Sequence, residues 1–422
     1  MTRSHSGAVR LTLRLAALGS ALSSTGASLM TVALPSLARI YGVPIERAQW
    51  LMLVYTLTVT ACLLPFGRAA DRYGYSRVAR VGFFGFFAVS AALTVAPSFP
   101  VMLGLRAAHG ASAALLMATL PAWLASVVPA NERGRALGVQ ASATYLGLTA
   151  GPVLGGALVS ALSARGVFVV LVPLAFVGFV SVPRPTHQGS NEPRKTPKVG
   201  GLFPRELLGN RAVVWGLVAA YLQYATTFAA TCAMPFFLQD ERGLLPRSAG
   251  LVLVAQPLVM ALAAPIAGRI SDLLGPKPLV VAGSLVCVVA ALGLAGSLAL
   301  SSLVPAVVGL GVLGLGAGLF TSPNNASLFA VAPAHLRGAA SGLVALARNA
   351  GMATGVFLGA RVLTLTARTA HPHGPAFVMG YRAALALAAL LGVLSAVASG
   401  LRGPDGPLET NGGSGSSTGK SS

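Results

Sequence analysis

A dozen apolar windows, each about 20 residues long, follow one another along this 422-residue chain and leave little between them. They fall near 13–35, 48–66, 79–97, 101–127, 137–160, 166–182, 212–238, 248–267, 278–300, 303–331, 339–363 and 377–400. A hydrocarbon solvent forces backbone polar groups to pair within each segment, so windows of this length are read as membrane-spanning helices. The ten acidic residues obey the same constraint. Glu46, Asp71, Glu132, Glu192, Glu206, Asp240, Glu241, Asp272, Asp405 and Glu409 all lie at or between window ends. A mid-membrane carboxylate costs about 2.5 kcal/mol or more. Only 9% of the chain is charged, against roughly 25% in a soluble domain. The expectation is an all-α membrane protein of twelve helices.

The formal charge of +20 does not point to nucleic acid, because the basic residues sit in short connections and form no stripe with interleaved aromatics. Twelve spans put both termini on one side. Twenty of the 30 Lys and Arg lie on that side and seven on the other, which predicts cytoplasmic termini in a bacterial inner membrane. The polar, Pro-rich stretch 184–210 reads as the linker between an N-terminal half, 1–183, and a C-terminal half, 211–401. The Gly/Ser-rich segment 402–422 reads as a disordered tail. Cys62, Cys232 and Cys287 lack metal-ligand spacing and read as small hydrophobes, so neither a metal nor another cofactor is expected. No nucleophile, base and orienter cluster together, which argues against an enzyme.

An internal repeat supports the two halves. Gly67, Asp71 and Gly74 recur 201 residues later as Gly268, Asp272 and Gly275. Arg133, Gly134, Gly138, Gly147, Gly151 and Gly155 recur 204 residues later as Arg337, Gly338, Gly342, Gly351, Gly355 and Gly359. Two six-helix bundles of the same orientation, rocking about a central cavity, give alternating access.

Within this frame, Gly67, Asp71, Arg72, Gly74 and Arg77, with Asp272 in the second copy, read as a conformational latch, or as a solvated turn whose charge sets topology. Gly147, Gly151 and Gly155 recur every four residues with Pro152 and Gly156 beside them. Small residues at that spacing let backbones approach, which fits a seam between the halves or static packing. Gln140, Tyr221, Gln223, Tyr224, Phe228, Gln256, Asn324, Asn325, Arg348 and Asn349 are polar or aromatic side chains in apolar spans. They are candidates to line a cavity, with bridging between neighbouring helices as the alternative. Arg106 also needs a polar group, a cavity or an anion.

The loop from Gly67 to Arg77 resembles the cytoplasmic signature loop of the major facilitator superfamily. Arg106-Ala-Ala-His109-Gly110 is similar to that family's fourth-helix Arg-x-x-Gln-Gly segment, with His109 in the Gln position. Gly147 to Gly156 resembles the fifth-helix motif of its antiporters, and Phe237 to Gly243 and Pro323-Asn324-Asn325 resemble its export branch. The resemblance implies a secondary transporter that exports a small amphipathic compound, with the proton gradient as energy source. The alternative is a metabolite permease or importer of the same superfamily. Where related exporters carry Asp in the first helix, this chain has Gly26, so proton transfer falls to Asp71, Asp240, Glu241 or His109, the last of which serves equally as a neutral hydrogen-bonding stand-in for Gln. With Arg106 and Arg348 in or beside the cavity and no mid-span acid, a neutral or weakly anionic substrate is expected over a cation. The protein is expected to act as a monomer in the lipid bilayer.

Overall fold

The computed structural model describes residues 2–129, 133–184, 205–331, 337–367 and 374–402. Its helices are α1 (Thr2–Tyr41), α2 (Ile45–Tyr73), α3 (Tyr75–Leu93), α4 (Phe99–Val127), α5 (Arg133–Ala161) and α6 (Leu171–Ser181) in the first half. The second half holds α7 (Arg211–Thr231), α8 (Ala255–Leu274), α9 (Pro276–Ser297), α10 (Val304–Val331), α11 (Arg337–Ala367) and α12 (Gly374–Gly400). Two of these are extended by short pieces: Met234–Phe236 and the π-turn Phe237–Glu241 follow α7, and Pro246–Leu253 precedes α8. Among the described residues, eleven helices are long and apolar enough to cross a membrane, and the segment Gly166–Ser181 is a shorter apolar twelfth. The expected sixth span is thus the weakest, because a 3-10 turn at Gly166–Phe168 interrupts it before α6 begins.

The repeat in sequence becomes a repeat in packing. Within the first half α1 packs on α5, α2 on α4, α3 on α4 and α3 on α6; within the second, α7 packs on α11, α8 on α10, α9 on α10 and α9 on α12. Each pair is its counterpart moved six helices along the chain. The turns correspond too. Gly74, with φ of 88°, joins α2 to α3, and Gly275, with φ of 79°, joins α8 to α9. A side chain is strained in that left-handed region, which explains glycine at both places. Large apolar side chains cover the outside, Val289 in the body of α9 being 65% exposed, as a lipid-facing surface requires.

One expectation changes at the chain's connections. Arg402, assigned to the disordered tail, is 3% exposed. Its guanidinium donates to Asn324 Oδ1 at 3.0 Å and to Ser327 Oγ, so a buried polar pair on α10 holds it. Residues 185–204 of the linker and 403–422 of the tail lie outside the described residues.

Candidate functional site: the space between the halves

The halves meet along α2 against α11 and α5 against the Pro246–Leu253 helix. Polar contacts between them, among the described residues, cluster at the end opposite the termini. Arg39 pairs with Asp240. Glu46 accepts from Arg361 Nη1 at 3.0 Å and from Thr364 Oγ1 at 3.4 Å. The N–H of Arg247 donates to Ser160 Oγ at 3.3 Å. Two glutamines complete the closure. α7 stops at Thr231, whose carbonyl cannot accept from Pro235, which has no N–H. At this break Gln49 Nε2 donates to Cys232 O at 3.1 Å, and beyond it Gln239 Nε2 donates to Val32 O at 2.9 Å. One step toward the centre lies an apolar layer of Leu53, Ala353, Val356 and Phe228.

Beneath that layer, within two turns of Phe228 and Ala353 along their helices, stand Tyr224 of α7 and Arg348 of α11, and Tyr145 of α5 lies within electrostatic reach of both. They lie 11–13 residues from the first residues of their helices, about 16–20 Å along each axis and near mid-membrane. Tyr221 borders this region and donates its hydroxyl to Thr354 Oγ1 at 3.0 Å. Gln256 and Asn325 are half-buried. Of the expected cavity residues, then, Tyr224, Phe228 and Arg348 gather where α7 and α11 face the first half.

Others belong inside the bundles. Gln223 donates to Cys287 Sγ at 3.0 Å and accepts from Ser395 at 3.4 Å, which ties α7 to α9 and α12. Asn324 donates to Gly216 O at 3.4 Å and accepts from Arg402. Gln140 donates to Ser20 Oγ at 3.0 Å, between α5 and α1. These three bridge neighbouring helices, because each finds its partner within its own half. Asn349 is buried, and its Nδ2 has no partner among the described residues.

The glycine stripes are also internal, which corrects the seam expected between the halves. A methyl on Gly147 would meet Ala21 O at 2.6 Å, and one on Gly155 would meet Leu29 O at 3.0 Å, both on α1; Gly151 rests on Ser28. Gly351, Gly355 and Gly359 rest in the same way on Tyr221, Ala225 and Ala229 of α7. The stripes let α1 and α5, and α7 and α11, approach closely within each bundle. At the far end of the first stripe this region touches the other half: Gly156 abuts Arg247, and Gly250 abuts the carbonyl of Pro152.

Arg106 is fully buried in the first half and does not line the space between halves. Its Nε donates to Leu51 O at 3.0 Å and its Nη1 to Gly26 O at 3.2 Å. Its guanidinium lies 4.3 Å from the centre of the Tyr55 ring. The glycine at position 26 leaves room for His109, whose Cε1 would be 3.0 Å from a methyl there. His109 Nδ1 is 3.1 Å from Arg106 Nη1. Because arginine only donates, Nδ1 must accept, and the remaining ring proton sits on Nε2, 3.2 Å from Ser90 Oγ. In this arrangement His109 is a neutral ring that accepts from Arg106 and faces Ser90. Gly110, the next motif residue, brings α4 against Tyr55 O, 2.6 Å from where a Cβ would stand.

The signature loop makes local contacts here. Asp71 is exposed and accepts from Tyr75 at 3.0 Å; Arg72 lies 5.4 Å from the Tyr73 ring centre; Arg77 is exposed. Gly67 has space around it, with Ala118 Cβ at 4.0 Å. The Asp272 side chain lies outside the described residues. Tyr145, Gln49 and the role of Gln239 were not evident from sequence. Tyr145 had the same signal as Tyr224, a hydroxyl-bearing ring inside an apolar span, whereas Gln49 stands at the rim of its span where a polar residue attracts no notice.

Comparison with known proteins agrees with this architecture. The profile of the Major Facilitator Superfamily matches residues 16–356 and again 224–418. The riboflavin transporter RibZ of Clostridioides difficile (strain 630) is 27% identical over 392 residues, covering 82% of this chain and 86% of that protein. The multidrug resistance protein Stp of Mycobacterium tuberculosis (strain CDC 1551 / Oshkosh) is 26% identical over 417 residues, covering 86% and 78%. In fold, the chain is similar to a bacterial homologue of the human lysosomal transporter Spinster, with a TM-score of 0.75 at 16% identity, over 95% of this chain and 98% of that one.

Proposed function

As the chain belongs to the Major Facilitator Superfamily and is a secondary transporter of small molecules, we propose that it exports an amphipathic compound by proton antiport. The transport route is the space between the halves 1–183 and 211–401, and the termini face the cytoplasm of a bacterial inner membrane. The observation that carries this reading is the grading of contacts along the interface. Ion pairs and amide bonds close one end, an apolar layer lies beneath them, and polar side chains from both halves meet at mid-depth. Weak ion pairs at a half-exposed rim, each worth up to about 1 kcal/mol, are contacts that an opening motion breaks cheaply. Export is supported by relatives named for multidrug resistance.

Proton coupling rests on carboxylates at the rim, where Glu46 and Asp240 face arginines of the opposite half. Protonating either removes an attraction that holds the closed end together, which links proton entry to opening. Asp71 and its neighbours form the latch at the other end, remade when that end closes. A second reading, a metabolite permease, is favoured by the similarity to a riboflavin transporter over most of both chains.

Purified protein in sealed vesicles, given riboflavin, ethidium and a neutral dye with and without an imposed pH gradient, separates these readings. Antiport predicts movement of a compound against its gradient when the opposite side is acidified. Movement that ignores the pH gradient removes the coupling, and no movement of any compound under any gradient removes transport by this route.

A further inference from the structure

We propose that Arg348, with the hydroxyls of Tyr145 and Tyr224, recognises an aromatic compound bearing one negative charge in the space between the halves. This rests on the transport route proposed above and adds the class of substrate.

The arginines of the described chain give the contrast. Arg106 is satisfied by two carbonyls, a histidine nitrogen and an aromatic face. Arg402 has Asn324 and Ser327; Arg39 and Arg361 have carboxylates; Arg242 has carbonyls at the ends of α9 and beyond. Arg348 is half-buried near mid-membrane, and among the described residues it has no carboxylate and no hydrogen-bond acceptor. A guanidinium facing the space between the halves keeps its donors open to whatever enters that space.

Its two phenolic neighbours have free hydrogen-bonding capacity of their own. Neither the Tyr145 nor the Tyr224 hydroxyl has a partner among the described residues, although the Tyr221 hydroxyl, one turn away, is engaged by Thr354. A guanidinium and two hydroxyls on three helices are the donor types from which a carboxylate or sulfonate accepts. The two rings, and Phe228 four residues beyond Tyr224, supply apolar and π surface for an aromatic body. The charge follows from counting. The described acidic side chains, Glu46, Asp71, Glu206, Asp240 and Glu241, sit toward helix ends, so Arg348 sets a positive potential at this depth. One such cation matches one negative charge. Because the cluster draws on both halves, a bound anion also bridges α5 to α7 and α11, so its binding reports on their separation.

Three probes with one skeleton test this: 2-naphthalenesulfonate, 2-naphthamide and (2-naphthyl)trimethylammonium, titrated calorimetrically into the detergent-purified full chain. The sulfonate should bind at least about tenfold tighter than the other two, and Arg348→Gln should reduce that preference to within about threefold while leaving the amide nearly unchanged. A sulfonate preference that survives Arg348→Gln, a cation bound as tightly as the anion, or no sulfonate binding overturns the assignment. Should Arg348→Gln fold poorly, Tyr145→Cys in a Cys62→Ala background gives a second measurement. Anionic methanethiosulfonate ethylsulfonate should label it faster than the cationic trimethylammonium reagent after normalisation to a free thiol, and equal or reversed rates also overturn it. Vesicle transport of the same probes keeps the two readings apart: movement of the amide or cation without the sulfonate leaves a transporter and removes the anion site.

Discussion

Two glycines with the same steric surroundings but different partners separate contacts that hold a bundle together from contacts that hold a conformation. A methyl on Gly156 would stand 2.9 Å from Arg247 Cα and 3.0 Å from Pro246 C, both in the opposite half. A methyl on Gly355 would stand 2.9 Å from Ala225 Cα and 3.0 Å from Ala225 C, both in the same half. Non-bonded carbons prefer about 3.5–4.0 Å, so either alanine pushes its neighbouring backbone away by about 0.5–1 Å. Overpacking of this kind costs about 1–3 kcal/mol. The gain in helix propensity on replacing glycine is the same at both sites and cancels in the comparison. For Gly355→Ala the strain persists in every conformation, since α7 and α11 belong to one bundle, and thermal stability should fall. For Gly156→Ala the strain is relieved once the halves separate at that end, so the equilibrium should move toward the open form by about 5–150-fold. Spin labels at Ile40 and Leu245, exposed residues of opposite halves near the closed end, read this as a distance distribution in a Cys62→Ala background. Gly156→Ala should populate a longer distance, and Gly355→Ala should lower the melting temperature without doing so. A distribution moved by Gly355→Ala and unmoved by Gly156→Ala would refute the division into two bundles with a separable interface.

Three further outcomes are expected. Asp71→Asn should slow turnover more than it weakens substrate binding, with Asp272→Asn having the smaller effect, as measured by vesicle flux and calorimetry on the same preparations. Arg106→Lys should not restore the stability lost in Arg106→Gln, because an ammonium cannot reach Leu51 O and Gly26 O from one rigid fork. Each loss should exceed about 2 kcal/mol in thermal or denaturant unfolding, in keeping with hydrogen bonds to a buried charge. A double-mutant cycle on Glu46→Gln and Arg361→Gln should give a coupling of at most about 1 kcal/mol in the conformational equilibrium, since the two side chains are 35% and 49% exposed.

Hydrocarbon is a severe solvent, and what it dictates was legible. The windows became helices, the described acids stayed toward helix ends, and the offset of about 200 residues became a repeat of packing partners and of the turns at Gly74 and Gly275. Choice of partner was less legible. A glycine every fourth residue announces a close approach but does not name the helix that approaches, and Gly147 finds Ala21 more than a hundred residues away. Polar residues in apolar spans posed the same problem. Gln223 and Asn324 carry the signal that Tyr224 carries, yet a one-residue difference in helix phase turns Gln223 toward Cys287 within its bundle and Tyr224 toward the other half. That Gly26 lies against His109 is concealed by their separation in sequence and supplied by the crossing of α1 and α4.

Alternating access is the central claim, and reversible locking of the closed end tests it most directly. Ser160 and Arg247 are exposed, belong to opposite halves and touch through a hydrogen bond of 3.3 Å. With Ser160→Cys and Arg247→Cys joined by a short reducible cross-linker in a Cys62→Ala background, vesicle flux of whichever compound the unmodified protein moves should stop, and reduction should restore it. Flux that continues at the same rate with the cross-link complete would contradict the account.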